Sequence, residues 1–487
     1  MKKTYLSFIL FAVLFAACTD KFDDFNTDKK NPVIVEGNAL FTSAQLSLAD
    51  QISTPDFNYN IFKLWAQYWT PTINLEEANY DIQSRSVPDS TFKIYYLNVL
   101  EDLDEAARLI TEETTDNQSE EINLQNRLYI IDLMMVYAYH HLVDIFGDIP
   151  YSESLDPEKV MPKYDDAFTI YQDLISRINT ALTGLDDSEG SFGSADIIYG
   201  GDVAAWIKFG NSLKVKLGII IADHDAGLAE SAIESAVSGV FESNNDNALL
   251  YYLSSPPNSN PVYDMLILDG HQNLFVIANT IIDLMNGLGD PRREAYFTAV
   301  DTSTEWGIEK LAYVGGIYGE TNAYDQYSHV SDPILEATFP GILLTYDEIL
   351  FYLAEAAERG FSVGQTAEEY YNAAINASFE FWGISDVGSY LAKPAVAYAT
   401  AQGNWNEKIG TQAYIAMYLR GLEGYTQWRR LDFPVFNIPP AIADYNEIPK
   451  RFTYPISEQW YNNENYTNAA SAVGGDELTT RIFWDKN

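Results

Sequence analysis

One cysteine, Cys18, serves the whole of a 487-residue chain. No disulfide can form within a single copy, so any fold the chain adopts must be held by its core. The composition allows this: 47% of the residues are hydrophobic, and a chain of this length can bury a large core as one extended domain or as two or three.

The position of the cysteine is informative. Lys2 and Lys3 open the chain, and Leu6 to Phe15 is an almost wholly apolar run followed by small residues, the layout of a secretory signal peptide. The run is too short for a membrane span, which takes roughly 20 apolar residues, and no other segment reads as one. Phe15-Ala16-Ala17-Cys18 resembles the bacterial lipobox, in which cleavage precedes the cysteine and the new N-terminus is acylated, for instance by palmitate. Cys18 is then a lipid anchor; the other reading is a cysteine lying by chance inside a cleaved signal. Residues 1–17 are expected to be the signal, and 18–36, rich in Asp, Lys and Asn, a tether. Residues 37–487 are expected to form one exported domain without a membrane-spanning helix.

Charge narrows the partners. Lys and Arg total 29 against 70 Asp and Glu, a formal net charge of −41. Such a surface repels nucleic acid and anionic bilayers, so Cys18 has to carry any membrane attachment. The aromatic content is 14%, with 34 Tyr and 9 Trp. These side chains suit both a core and stacking on flat ligands or sugar rings.

Periodicity points to an all-α fold. Ile94, Leu97, Leu100 and Leu103 set an amphipathic helix over 92–110, and 124–146 is apolar on most sides, as a central buried helix is. Helices follow at 167–184 and 203–222, the second with Trp206, Phe209, Leu213 and Leu217 on one face and Lys208, Lys214 and Lys216 mostly away from it. Thr345 with Glu348 and Thr366 with Glu369 read as capping boxes, and Gly360 as a left-handed stop between them. The two Ala-rich helices so delimited form a hairpin of the tetratricopeptide kind, without a strict 34-residue repeat. A further helix is expected at about 411–428. Residues 241–340 and 382–410 are loop-rich, and long irregular connections in a compact domain tend to carry function.

Catalytic signatures are missing. There is no phosphate loop, paired-cysteine motif, His-Glu-x-x-His or Gly-x-Ser-x-Gly, and Gly287-Leu288-Gly289 lacks the third glycine of a dinucleotide site. His140 and Asp144 share a helix face but supply only two ligands, fewer than a metal site needs. Acidic pairs such as Asp165-Asp166 and Asp186-Asp187 carry no information about spatial pairing in so acidic a chain. Neither a cofactor nor a metal is expected.

Two aromatic groups stand out. Trp65, Tyr68 and Trp69 sit at spacings that share a helix face, which suits a binding platform and a core wedge alike. Trp306, Tyr313, Tyr318, Tyr324 and Tyr327 lie in the loop-rich stretch, where ligand contact competes with burial.

Several blocks, in order along nearly the whole chain, resemble the SusD/RagB family. They are the lipobox with Cys18-Thr-Asp-Lys-Phe-Asp-Asp-Phe-Asn-Thr-Asp28, the Leu344 to Gly360 helix, Arg420-Gly-Leu-Glu-Gly-Tyr-Thr-Gln-Trp-Arg-Arg430, Ile448-Pro-Lys-Arg-Phe-Thr-Tyr-Pro455, and Arg481-Ile-Phe-Trp-Asp-Lys-Asn487. The resemblance implies a non-enzymatic, lipid-anchored protein on the outer face of a Gram-negative outer membrane, with a tetratricopeptide-like scaffold and a loop-rich ligand-binding half. It implies capture of oligosaccharides, or in some members peptides, for a SusC-like TonB-dependent transporter. Asp20, Asp23 and Asp24 are similar to the family's surface-export signal. By region, it places ligand contacts at Trp65, Tyr68, Trp69 and the aromatics from Trp306 to Tyr327. It leaves Arg429, Arg430, Arg451 and Trp484 as structural, with the guanidinium groups expected to pair with carboxylates. A secreted hydrolase, or a surface adhesin or scaffold, remains a rival reading of the residues.

Overall fold

The computed structural model describes residues 35–301, 311–442 and 447–486. Cys18 and most of the tether lie outside them. The architecture is all-α, built on helical hairpins: α1 (Gly37–Ser53), α2 (Val87–Lys93), α3 (Glu101–Thr111), α4 (Gln118–Phe146), α5 (Ala167–Gly184), α6 (Val203–Ile220), α7 (Ala226–Ala236), α8 (Asn279–Leu288), α9 (Tyr346–Glu358), α10 (Ala367–Phe381), α11 (Trp405–Ala416) and α12 (Gly421–Leu431). Successive pairs α4/α5, α6/α7, α9/α10 and α11/α12 pack on one another, and α6 joins the halves by packing on α9. The strands among the described residues form two-stranded pairs only. One of them clamps β1 (Trp69–Pro71) antiparallel to β2 (Phe275–Ile277).

Short polar side chains start many of these helices. Asn117, Asp166, Asp202, Asp225 and Asn404 each accept a backbone N–H of the first turn, satisfying donors that a helix start otherwise leaves free. Thr366 and Glu369 form the expected reciprocal box, and Gly360 takes φ +87° at the turn of the α9/α10 hairpin. Helix α4 is long and apolar enough to cross a membrane by length and composition, although no span beyond the leader was expected. In the fold, 83% of its apolar window is buried, the environment of a core helix.

Four expectations change. The box at Thr345 does not form: its hydroxyl donates to Asp347, and Glu348 turns into the core. The helix expected over 92–110 contains a π-helical stretch, Ile94–Leu100, between α2 and α3. The helix expected at 411–428 is two helices, broken after Ala416, with Leu419 at φ +74°. After the break, Gly421 lies so close to the turn Phe62–Trp65 that a Cβ there would meet the backbone at 2.4 Å. Finally, Lys214 and Lys216 are buried instead of lying away from the packed face.

Lys216 anchors a buried ionic network. Its Nζ lies 2.5 Å from Glu423 and 3.1 Å from Glu348. Arg420 pairs with Glu348 from the other side, and Tyr352 donates to it at 2.9 Å. Burial lowers the basicity of the His141 ring against the pull of Glu423. As a neutral ring, its Nε2–H donates to Glu423 at 3.0 Å while Nδ1 accepts from Tyr95 at 2.8 Å. Burial alone would raise the Glu423 carboxyl, but Lys216 and His141 hold it well below the usual range. Glu348 is raised, burial outweighing Lys216 and Arg420.

The arginine blocks are structural, with one difference in chemistry. Arg430 pairs with Glu355 at 2.5 Å and Arg451 with Asp476 at 3.2 Å. Arg429 instead donates to the carbonyls of Asp144 and Lys450, between the rings of Tyr425 and Trp484.

Candidate functional site

Lys63 donates to the carbonyls of Ile52, Ser53 and Thr54, ending α1 with a cation at its negative pole. Burial pulls its ammonium down toward about 7, and the three carbonyls act in the opposite direction. Beyond this helix end opens a cleft of about 1000 Å³, at the upper end of the usual size for a small-ligand site. Its walls are the C-terminal half of α1 with the loop to Tyr59, the helix running from Ser90 to Asn98, and the segment from Pro261 to Leu274.

Two of these walls are π-helical. The stretch Ile94–Leu100 contributes Ile94 and Asn98, and a second stretch, Asp264–Leu268, contributes Asp264 and Met265. π-Helical turns widen a helix by one residue at a cost in hydrogen-bond geometry and concentrate at functional sites. Two facing one cleft single it out.

Met265, Ile94, Leu274 and Phe57 give the cleft apolar surface. The Tyr59 ring stands 44% exposed at its edge, and His271 is exposed. The polar lining is fixed from behind: Tyr252 donates to Asp50 at 2.9 Å, Ser259 to Asp264 at 2.6 Å, and the Asn58 amide to Asp56 at 2.7 Å. Burial, with Asp264 nearby, raises the Asp50 carboxyl to about 6 against the Tyr252 hydrogen bond. The folded state thus holds a proton that the unfolded state releases near 3.8, so Asp50 weakens the fold as pH rises through that window. Asp50→Asn is expected to gain about 1–2 kcal/mol in stability relative to the parent between acid and neutral pH, read from urea unfolding at each pH. A difference that does not change with pH would contradict this.

A family model of SusD-like proteins, described as starch-binding and associating with the outer membrane, matches residues 29–455. The chain belongs to the SusD-like family. Among solved structures, a chitin-binding protein is 25% identical with a TM-score of 0.81, over 93% of this chain and 100% of its own. A SusD homolog from Bacteroides uniformis is 25% identical with a TM-score of 0.76, over 92% of this chain and 99% of its own. A chitin-binding SusD homolog from Flavobacterium johnsoniae, 23% identical with a TM-score of 0.77 over 92% of this chain and 99% of its own, shares the fold. No curated protein sequence matches.

In this SusD-like protein, the early aromatics are core. The helix expected to align them is a single turn, Phe62–Trp65, after which Gln67 takes φ +53° and the chain enters β1. Trp65 donates to the Glu77 carbonyl among the rings of Phe62, Tyr80, Tyr425 and Phe452. Tyr68 donates to the Tyr414 carbonyl and Trp69 to the Tyr418 hydroxyl. All three, with Tyr318, are buried and offer no face to a ligand. Trp306 lies outside the described residues. Tyr313, Tyr324 and Tyr327 are half-buried on the loop face. Tyr324 stacks on His329 at 3.7 Å, and Tyr313 carries Arg293 over its ring.

His140 and Asp144 do not gather a metal set: among the described residues no three ligating side chains come together. Asp144 accepts from Tyr171 and Trp484. The cleft was not expected from sequence, because its walls come from three distant segments. The one usable signal was the loop-rich stretch after 241, which supplies the third wall.

Proposed function

We propose that this SusD-like protein captures oligosaccharides at the outer face of the outer membrane, held by lipid on Cys18, and passes them to a SusC-like TonB-dependent transporter without chemical change. The observation that carries the reading is the cleft walled by two π-helical stretches in a chain of this family. Its chemistry suits a sugar: apolar surface and a half-exposed Tyr59 ring to stack on, rimmed by carboxylates and amides for hydroxyls. The chitin-binding names of two structural relatives support a glycan over a peptide. Weak binding at one cleft suffices where a transporter partner adds avidity.

The test is calorimetry of the full-length protein in detergent with plant, host and microbial glycans and with peptide mixtures, product formation being followed in the same samples. Glycan binding without turnover is expected. Turnover would contradict the capture role, peptide binding alone would move the ligand class, and silence throughout would favour a scaffold. For the partner, gentle detergent extraction is expected to bring a large barrel protein with it; repeated recovery of the lipoprotein alone would contradict that assignment.

A further inference from the structure

The cleft is unbalanced in charge. Asp50, Asp56, Asp264 and Asp269 line it against two basic side chains, Lys93 and His271. Asp50 and Asp264 each receive one internal donor on Oδ1, which leaves Oδ2 of both for a ligand. A separate observation concerns Gln51, which lines the same cleft and is 4% exposed. Its amide nitrogen is committed to the Tyr59 carbonyl at 2.8 Å, which fixes the direction of the amide. Its Oε1 is buried with no hydrogen-bond partner. A buried acceptor left unpaired is costly, so a ligand that brings it a donor recovers that cost on binding.

We propose that the cleft selects glycans bearing free, protonated amino groups, the ammonium donating to Asp50, Asp264 and Gln51 Oε1. The inference rests on the glycan-capture reading and narrows it. An ammonium offers three N–H donors and no acceptor, whereas a hydroxyl or N-acetyl group offers one donor and brings an acceptor into a site already rich in them. Uronate or sulfated sugars would place a like charge beside the aspartates of a chain whose net charge is −41.

Three oligosaccharides of equal length serve as probes: a β-1,4-glucosamine oligomer, its fully N-acetylated form and an oligogalacturonate. Each is titrated calorimetrically into the full-length protein in detergent near neutral pH, where Asp50 is ionised, and at low salt. The amino oligomer is expected to bind at least about tenfold tighter than the acetylated one, the uronate not measurably, and added salt is expected to narrow the gap. Asp264→Asn, which keeps the shape and the Ser259 hydrogen bond, is expected to remove most of the preference, the amino oligomer losing far more affinity than the acetylated one. Asp269→Asn, at an exposed position where folding is not at stake, is expected to lower the preference about two- to threefold. Equal or tighter binding of the acetylated oligomer, or a preference untouched by both variants, would overturn the inference while glycan capture stands. Failure of the amino oligomer to bind would also overturn it, and silence across the wider glycan panel would remove the capture reading as well.

Discussion

Lys216→Met is expected to cost the fold about 3–5 kcal/mol. Methionine fills a similar volume and introduces no polar group, so packing changes little. What changes is charge: Glu423 and Glu348, both buried, lose the ammonium 2.5 Å and 3.1 Å away. Arg420 still pairs with Glu348, but Glu423 keeps only the neutral His141 ring. With its directly paired cation gone and only the more distant Arg420 charge left, the desolvation of Glu423 is relieved by protonation or by local opening. Urea unfolding near neutral pH measures the loss. Adding Glu423→Gln is expected to restore part of it, since an amide can still accept from His141 without a charge to desolvate. A loss below about 1 kcal/mol would mean that water reaches the network.

Trp65→Ala is expected to destabilise by about 3–5 kcal/mol instead of lowering ligand affinity in an intact fold, as its position beside Tyr68 and Trp69 first suggests. The indole is enclosed by four aromatic rings and donates to the Glu77 carbonyl at 3.2 Å. Truncation therefore opens a cavity at the junction of the 62–65 turn, α12 and the irregular 448–455 segment. Unfolding by denaturant together with ligand titration separates the two roles. An unchanged midpoint with lost binding would return Trp65 to the ligand site.

The two substitutions mark where the sequence was legible. Helices α5 and α6 and the Thr366 box follow local rules: period, cap and stop lie within a few residues of one another, so no tertiary knowledge is needed. Thr345 and Glu348 satisfy the same rule, yet Glu348 is drawn inward by Lys216 and Arg420, which are distant in sequence and opposite in charge. The π-helical stretch at Ile94–Leu100 keeps the apolar spacing of an ordinary helix, so the extra residue per turn leaves no trace in the pattern. The break before Gly421 arises from close approach to the backbone of the 62–65 turn, a contact made by residues far apart in the chain.

The site was less legible than the fold for a related reason. A Trp or Tyr that stacks on a ligand and one that wedges a core have the same composition and spacing, and Trp65, Tyr68, Trp69 and Tyr318 proved to be wedges. The cleft draws its lining from α1, the Ser90 to Asn98 helix and the 261–274 segment, and its characteristic residues, Gln51, Asp50 and Asp264, are individually unremarkable in so acidic a chain.

The central claim is that ligand lies in the cleft and not on the loop face that carries Tyr313, Tyr324 and Tyr327. Titrating the tightest glycan of the panel into the parent, Tyr59→Ala and Tyr324→Ala tests it most directly, since both side chains are partly exposed and neither holds the core. The expected result is an affinity about tenfold weaker for Tyr59→Ala and unchanged for Tyr324→Ala. Loss with Tyr324→Ala and none with Tyr59→Ala would contradict the account and move the site to the loops.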